Sequence, residues 1–260
     1  MVTGMERFRQ HFAGYEDAFV VIGGAACDAW FTQAGARFRT TKDIDMVLVL
    51  EAVQPRFVQH FWAFIRDGGY KVGQRKDGRR TYYRFINPTA VDFPTVIELF
   101  SAAPSGIEPA EGQEIVPVPL DGDVSSLSAI LLDPEYYQFI LGQLGEVDGL
   151  PLIKPSGLIP LKAHAWRDMS SRWAADHTSI SEDHIKKHRS DIFRLATLLP
   201  TGDTLVPPVA VAADLDAFLA AFPITAPAWA DIGRALKASG IRMSATELTS
   251  ILRDFYGRPA

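Results

Sequence analysis

Two aspartates one residue apart, Asp43 and Asp45, have the clearest chemical potential in this sequence. They open a predicted strand whose continuous apolar run, residues 46–50, indicates that it is buried. Because side chains alternate across a strand, both carboxylates point to one face and Ile44 points to the other. Such a pair suits a divalent cation, which also takes phosphate oxygens and water as ligands. The spacing therefore predicts a metal site, and the alternative is a solvated strand end.

Two glycines, Gly23 and Gly24, stand between an apolar strand and a predicted helix over residues 24–33. Glycine lets the backbone approach a phosphate at a helix N-terminus, where unpaired N–H groups and the helix dipole favour anions. The spacing matches neither the dinucleotide fingerprint nor a P-loop. The pair predicts a phosphate-binding turn, and an ordinary tight turn is the alternative.

A third carboxylate is expected on a neighbouring strand, and Glu98 is the favoured candidate. It is the only charged residue of a predicted strand over residues 95–100, where an unpaired charge is costly unless it meets a cation or reaches the sheet edge. Asp92 is the alternative, if residues 90–94 form a strand end. The third carboxylate would act as general base on an attacking hydroxyl or share a metal ion.

The second half of the chain offers basic residues for phosphate binding. Lys162 lies on a predicted helix over residues 158–169 among apolar neighbours, so it either reaches the surface or faces an anion such as a triphosphate. The densest basic cluster covers residues 186–194. Lys187 or Arg189 would bind phosphate there, with Asp191 orienting a base or a helix contact, and a solvated helix face is the alternative.

Hydrophobic periodicity predicts the elements that must position these residues. The first half reads as strands and helices in the order β-α-β-α-β-β-β, with a helix from Pro55 to Gly68 and a hairpin turn at Lys76-Asp-Gly78. Further helices are predicted over residues 134–144, 158–169, 181–199, 215–222, 228–238 and 244–255. We expect an α+β fold: a mixed sheet with packed helices over residues 1–150, then a mainly helical domain over residues 151–260.

The amino-acid composition excludes several kinds of site and indicates the cellular compartment. The chain has 260 residues, a net charge of −5 and one cysteine, which excludes an internal disulfide and a cysteine-rich zinc site. No global basic field attracts nucleic acid, so any such contact needs a local patch. The sequence shows neither an apolar stretch long enough to span a bilayer nor a secretory signal. We expect a cytoplasmic protein without a membrane partner.

The sequence resembles the AbiEii-like nucleotidyltransferases over about residues 18–200. The resemblance lies in the order of the motifs: Gly-Gly, then Asp-x-Asp, then the Glu-bearing strand, then the helices with Lys162 and Asp191. That family, which includes the MenT group, belongs to the DNA polymerase β-type superfamily and contains toxins of toxin–antitoxin and abortive-infection systems. The resemblance implies that Gly23 and Gly24 hold a triphosphate and that Asp43 and Asp45 bind magnesium. It also implies that Lys162 contacts phosphate and Asp191 organises the nucleotide pocket, within a helical domain that completes the nucleotide site. The superfamily's usual Gly-Ser is Gly-Gly here.

The expected function is transfer of a nucleoside monophosphate from an NTP to an acceptor hydroxyl, with Mg²⁺ or Mn²⁺ as cofactor. The candidate catalytic residues are Asp43, Asp45, Glu98 and Lys162, the first three also as metal ligands, and the candidate nucleotide contacts are Gly23, Gly24, Lys162, Lys187 and Asp191. A tRNA 3′ end is one candidate acceptor and an antibiotic hydroxyl another. A cognate antitoxin is a candidate partner, and a non-catalytic nucleotide-binding module is the alternative class.

Overall fold

A computed structural model describes residues 2–74, 80–102, 115–117, 128–178 and 180–259 of the chain. Within these ranges the helices are α1 (Met5–His11), α2 (Gly23–Gln33), α3 (Pro55–Gly68), α4 (Pro134–Leu141), α5 (Pro155–Ala175), α6 (Glu182–Ala196), α7 (Val209–Ala221), α8 (Trp229–Ala238) and α9 (Ala245–Tyr256). The strands are β1 (Phe19–Ile22), β2 (Asp43–Leu48), β3 (Lys71–Gln74), β4 (Arg80–Ile86), β5 (Val96–Ser101), β6 (Ile115–Pro117), β7 (Ser128–Leu131), β8 (Leu144–Val147) and β9 (Leu150–Ile153).

The strands form one mixed sheet in the order β3-β4-β5-β2-β1-β9-β8. Outside this order, β7 pairs with both β5 and β6. Strand β2 runs antiparallel to β1 and parallel to β5, while β4 runs antiparallel to β5. This mixture of parallel and antiparallel neighbours, with helices before and after the sheet, confirms the predicted α+β class. It also makes β2 and β5, the two acid-bearing strands, direct neighbours.

The chain divides into two compact units, each with its own core. The first unit comprises Met1–Ala29 and Thr40–Ile153, and the second comprises Trp30–Arg39 and Lys154–Ala260. Aromatic rings fill part of the first core: the ring centroid of Phe8 lies 5.8 Å from that of Phe64, and Phe12 lies 5.4 Å from Phe64. In the second unit α5 packs against α6 and α7, and the ring centroids of Phe193 and Phe218 are 5.2 Å apart.

Local sequence signals account for several element boundaries. Helix α3 begins at Pro55 as predicted, and Gly69 ends it in the left-handed conformation at a φ of 62°, which glycine adopts without strain. The capping box at the start of α9 is also present: the Ser244 side chain accepts from the Glu247 N–H, and the Glu247 carboxylate accepts from the Ser244 N–H. Each of these features depends on residues within one helical turn of each other, so the sequence alone reveals it.

Other elements differ from the sequence reading or add to it. Helix α1 and the β8–β9 hairpin were not predicted, although Asp148-Gly149 between the strands is a typical hairpin turn, with φ angles of 52° and 76°. Helices α5 and α7 begin earlier than expected, at Pro155 and Val209. The predicted turn at residues 76–78 lies outside the described residues. No helix in the described ranges is both long and apolar enough to cross a membrane.

Candidate functional site

Three charged side chains form a row across the first unit's sheet. In the parallel pairing of β2 and β5, Asp45 is opposite Glu98, and in the antiparallel pairing of β4 and β5, Arg84 is opposite Glu98. Residues paired across neighbouring strands share one face of a sheet. Asp43 precedes Asp45 on that face, and Ile44, on the other face, is fully buried. The structure thus confirms the alternation predicted for Asp43 and Asp45 and places Glu98 beside them.

The two glycines accommodate neighbouring side chains at the start of α2. Gly23 has a φ of +68°, and a Cβ there would lie 1.9 Å from Oδ2 of Asp45; a Cβ at Gly24 would lie 2.4 Å from Oγ1 of Thr41. Because Gly23 is the first residue of α2, the Asp45 carboxylate lies where the helix dipole favours negative charge. The absence of a Cβ at the two glycines therefore leaves room for the Asp45 carboxylate and the Thr41 hydroxyl. A contact between the glycines and a phosphate stays a prediction.

Glu98 is ion-paired within the row. Its Oε1 lies 3.0 Å from Nε of Arg84, and 23% of the Glu98 side chain is exposed against 50% for Arg84. Burial raises the pKa of Glu98 above its ordinary value; the positive charge of Arg84 opposes this rise and the negative charge of Asp43 adds to it. The sequence predicted that this lone acid meets a cation or reaches the sheet edge, and the structure shows a cation. The sequence did not identify Arg84 as that cation, because only its position on the neighbouring strand β4 relates it to Glu98.

The donor set suits a hard cation only in part. Asp43 and Asp45 present carboxylates on one face, and carboxylate oxygens are the ligands that Mg²⁺ prefers. Within the described ranges, however, no group of three or more His, Cys, Asp or Glu side chains is arranged to hold a metal ion. Glu98 as third ligand stays a prediction, because its carboxylate contacts Arg84. Asp92 lies in an exposed turn at a φ of 61°, so it does not occupy the strand end that its candidacy supposed.

In the second unit, three cations surround the buried carboxylate of Asp191. Nζ of Lys162 lies 3.0 Å from Oδ2, Nη2 of Arg39 lies 2.7 Å from the same oxygen, and Nη1 of Arg194 lies 2.9 Å from Oδ1. Asp191 is fully buried and Lys162 is 4% exposed. Lys162 is therefore not the surface lysine that the sequence left open. The sequence did not predict this partnership, because Arg39 is 152 positions from Asp191.

We name these four residues (Arg39, Lys162, Asp191 and Arg194) the Asp191 cluster. Burial alone would raise the pKa of Asp191, but the charges of Lys162 and Arg39 lower it to about 2, so the carboxylate is ionised. Beside it, burial first and the charge of Lys162 second lower the pKa of His188 to about 3. His188 is therefore neutral, and its buried Nδ1 has no hydrogen-bond partner among the described residues.

The remaining predicted phosphate ligands on α6 lie in contrasting environments. Lys187 is exposed, whereas Arg189 is only 9% exposed and its Cζ lies 5.8 Å from the ring centroid of Phe222. Lys186 pairs with Glu182 at 3.0 Å, one helical turn away. The basic stretch is thus neither a uniformly solvated face nor one continuous patch, and Lys187 is its freely accessible lysine.

Comparisons with known proteins add no relative to this description. Neither a protein-family model nor a curated protein nor a solved structure matches the chain. The functional argument therefore rests on the residues themselves and on their geometry.

Proposed function

We propose that the protein is a metal-dependent nucleotidyltransferase that moves a nucleoside monophosphate from an NTP to an acceptor hydroxyl. The observation that carries the proposal is the pairing of Asp45 with Glu98 in neighbouring parallel strands, with Asp43 on the same face. The carboxylate of Asp45 lies against Gly23 at the N-terminus of α2, where backbone N–H groups favour anions. The carboxylates that would hold a cation therefore lie next to the helix N-terminus that would hold a phosphate.

The proposed reaction needs a base near the acceptor and charge compensation for the phosphates. The acceptor oxygen attacks the α-phosphorus, the bond from that phosphorus to the β-phosphate oxygen breaks, and pyrophosphate leaves with the electron pair. Glu98 would take the hydroxyl proton, and its raised pKa makes it a stronger base than an ordinary glutamate. Magnesium held by Asp43 and Asp45 would supply the charge that neutralises the triphosphate.

In the second unit we propose a phosphate contact at the Asp191 cluster. Three cationic side chains meet at one carboxylate in the Asp191 cluster, and cationic side chains attract phosphate. Within it, Asp191 fixes the Lys162 ammonium and the Arg39 guanidinium through hydrogen bonds. We keep Lys162 as a phosphate contact and Asp191 as the residue that orients it.

For the acceptor we propose an RNA hydroxyl, with a tRNA 3′ end as the first choice and Lys187 as a phosphate contact. RNA binding through lysines would weaken steeply as salt rises, whereas an antibiotic acceptor would not show that slope. We place the reaction in the cytoplasm, which fits a chain with one cysteine. A cognate antitoxin remains the proposed protein partner.

The direct test is incubation with labelled NTPs, Mg²⁺ and total RNA. We expect label in RNA with the parent protein and a loss of about 10²-fold or more for Asp45→Asn and for Glu98→Gln, the range for removing a group that acts on the proton or the charge. Asp17→Asn, which changes an exposed carboxylate in the same unit, should behave like the parent. If Asp92→Asn abolished transfer and Glu98→Gln did not, the assignment of the third carboxylate would be wrong.

A non-catalytic nucleotide-binding module is the second candidate. The ion pair between Glu98 and Arg84 favours it, because a carboxylate engaged by an arginine is not available as a base. This candidate predicts that the protein binds NTP but transfers no label to RNA, protein or a small hydroxyl compound, with either Mg²⁺ or Mn²⁺ present. That result would support the binding module over the enzyme.

A further inference from the structure

The second unit contains a cleft that has no task in the proposed function. Its volume is about 450 Å³, within the range of about 300–1,000 Å³ that is typical of small-molecule sites. Part of its wall is apolar and comes from the connection between α7 and α8, at Phe222, Pro223 and Ile224. Ile224 is 56% exposed, so apolar surface of the wall faces water. A ligand with an apolar body would cover this surface and gain from its burial.

The charged part of the wall comes from the end of the chain and consists of Arg253, Asp254 and Arg258. Two of these residues have polar partners. Nε and Nη2 of Arg258 lie 2.7 Å and 2.6 Å from the two carboxylate oxygens of Asp216. The hydroxyl of Ser250 donates to Oδ2 of Asp254 at 2.9 Å. These contacts leave Arg253 as the wall residue whose charge needs an explanation.

Arg253 is a cation without an acidic partner in the part of the chain that the structure describes. Its Nη1 donates to the backbone carbonyl of Pro259, and no carboxylate of a described residue forms an ion pair with it. A guanidinium has five N–H donors and can bind one carboxylate through two parallel hydrogen bonds. Arg253 therefore brings to the cleft a charge and a donor geometry that suit an anion.

We propose that this cleft binds a small monocarboxylate with an apolar body. The carboxylate accepts hydrogen bonds from Arg253, and the apolar body lies against Phe222 and Ile224. One negative charge fits better than two, because Asp254 in the same wall would repel the second charge of a phosphate monoester. The inference goes beyond nucleotidyl transfer, since it involves neither the residues nor the metal ion of the proposed reaction.

Isothermal titration calorimetry of the whole chain tests the recognition of the carboxylate, with phenylacetate and phenethyl alcohol as probes. The two probes share the phenyl body, and only phenylacetate is charged. We expect phenylacetate to bind at least about tenfold more tightly, which corresponds to one hydrogen bond to a charged group. In Arg253→Gln the two affinities should lie within about twofold of each other. Arg234→Gln, which removes an exposed arginine from α8 outside the cleft, should keep the parent ratio.

The variant Ile224→Ala tests the apolar part of the wall. Because this side chain is more than half exposed, its truncation should leave the fold intact. We expect both probes to bind about two- to fivefold more weakly, with the ratio between them retained, because the variant removes apolar contact and no charge. Val209→Ala truncates an exposed apolar side chain outside the cleft, so both affinities should stay at the parent values.

Four results would overturn the inference. Equal affinities of the two probes for the parent protein would show that the cleft does not recognise the carboxylate, and this comparison decides the matter even if Arg253→Gln does not fold. An unchanged ratio in folded Arg253→Gln would remove Arg253 from the site. Tighter binding of benzylphosphonate than of phenylacetate would indicate a phosphate-bearing ligand, and tighter binding of phenethylamine would indicate a cation held by Asp254. None of these titrations contains NTP or a metal ion, so a failure of the proposed function would not affect them.

Discussion

Asp191 is the residue whose replacement we expect to cost the second unit most. Its fully buried carboxylate is the shared partner of Lys162 and Arg194, whose side chains are 5% and 7% exposed, and of Arg39, which is 27% exposed. Replacing Asp191 with Asn keeps the shape of the side chain but removes the negative charge that the two buried cations share. Breaking a buried ion pair from one side costs about 3–5 kcal/mol, which is a large fraction of a domain's stability.

The same geometry predicts an asymmetry between the partners. Lys162→Met removes one of three cations and fills a similar volume, while Asp191 stays paired with Arg39 and Arg194. Because Asp191 keeps two cationic partners in this variant, we expect it to lose less than about 1 kcal/mol or to gain stability. A simple count of ion pairs would instead predict a loss of stability for Lys162→Met as well, because that variant also removes an ion pair.

Urea unfolding at pH 7, followed by far-ultraviolet circular dichroism, measures both free energies of unfolding. Asp216→Asn is the matched control: it breaks an aspartate–arginine pair with Arg258, but Asp216 is 46% exposed, so the loss should stay below about 1 kcal/mol. The reasoning would be refuted if Asp191→Asn lost no more stability than Asp216→Asn, or if Lys162→Met lost as much as Asp191→Asn.

Two further predictions follow from burial and from backbone conformation. Burial and the nearby charge of Lys162 hold the folded-state pKa of His188 at about 3, below the unfolded value of about 6.5, so the unfolded chain gains a proton that the folded protein resists. Stability should therefore fall as the pH drops from about 6.5 toward 3, and urea midpoints at pH 7 and 5 should differ less in His188→Asn than in the parent. Gly23→Ala should cost about 1–3 kcal/mol and reduce nucleotidyl transfer, because its Cβ would displace the Asp45 carboxylate. Gly14→Ala also places alanine at a positive φ but meets nothing within 4 Å, so urea unfolding of this control isolates the backbone strain, and equal losses for the two variants would contradict the role given to Asp45.

The sequence by itself determined the features that depend on short spacing. The alternation of Asp43, Ile44 and Asp45 follows from the geometry of any strand, and the structure shows it in their exposure. The start of α3 at Pro55 and the capping box at Ser244 follow from residues within one turn. Glu98 was identified for a related reason, since one acid in an apolar strand must find a compensating charge.

Only the tertiary structure decided which groups provide that compensation. Sequence spacing does not reveal that β4 lies beside β5 and places Arg84 against Glu98, because strand order depends on how the whole sheet packs. In the second unit, Lys162 was predicted to reach the surface or face an anion, and the anion is Asp191, 29 positions away. Buried charges choose partners by position in space, and segments far apart in the chain supply those partners.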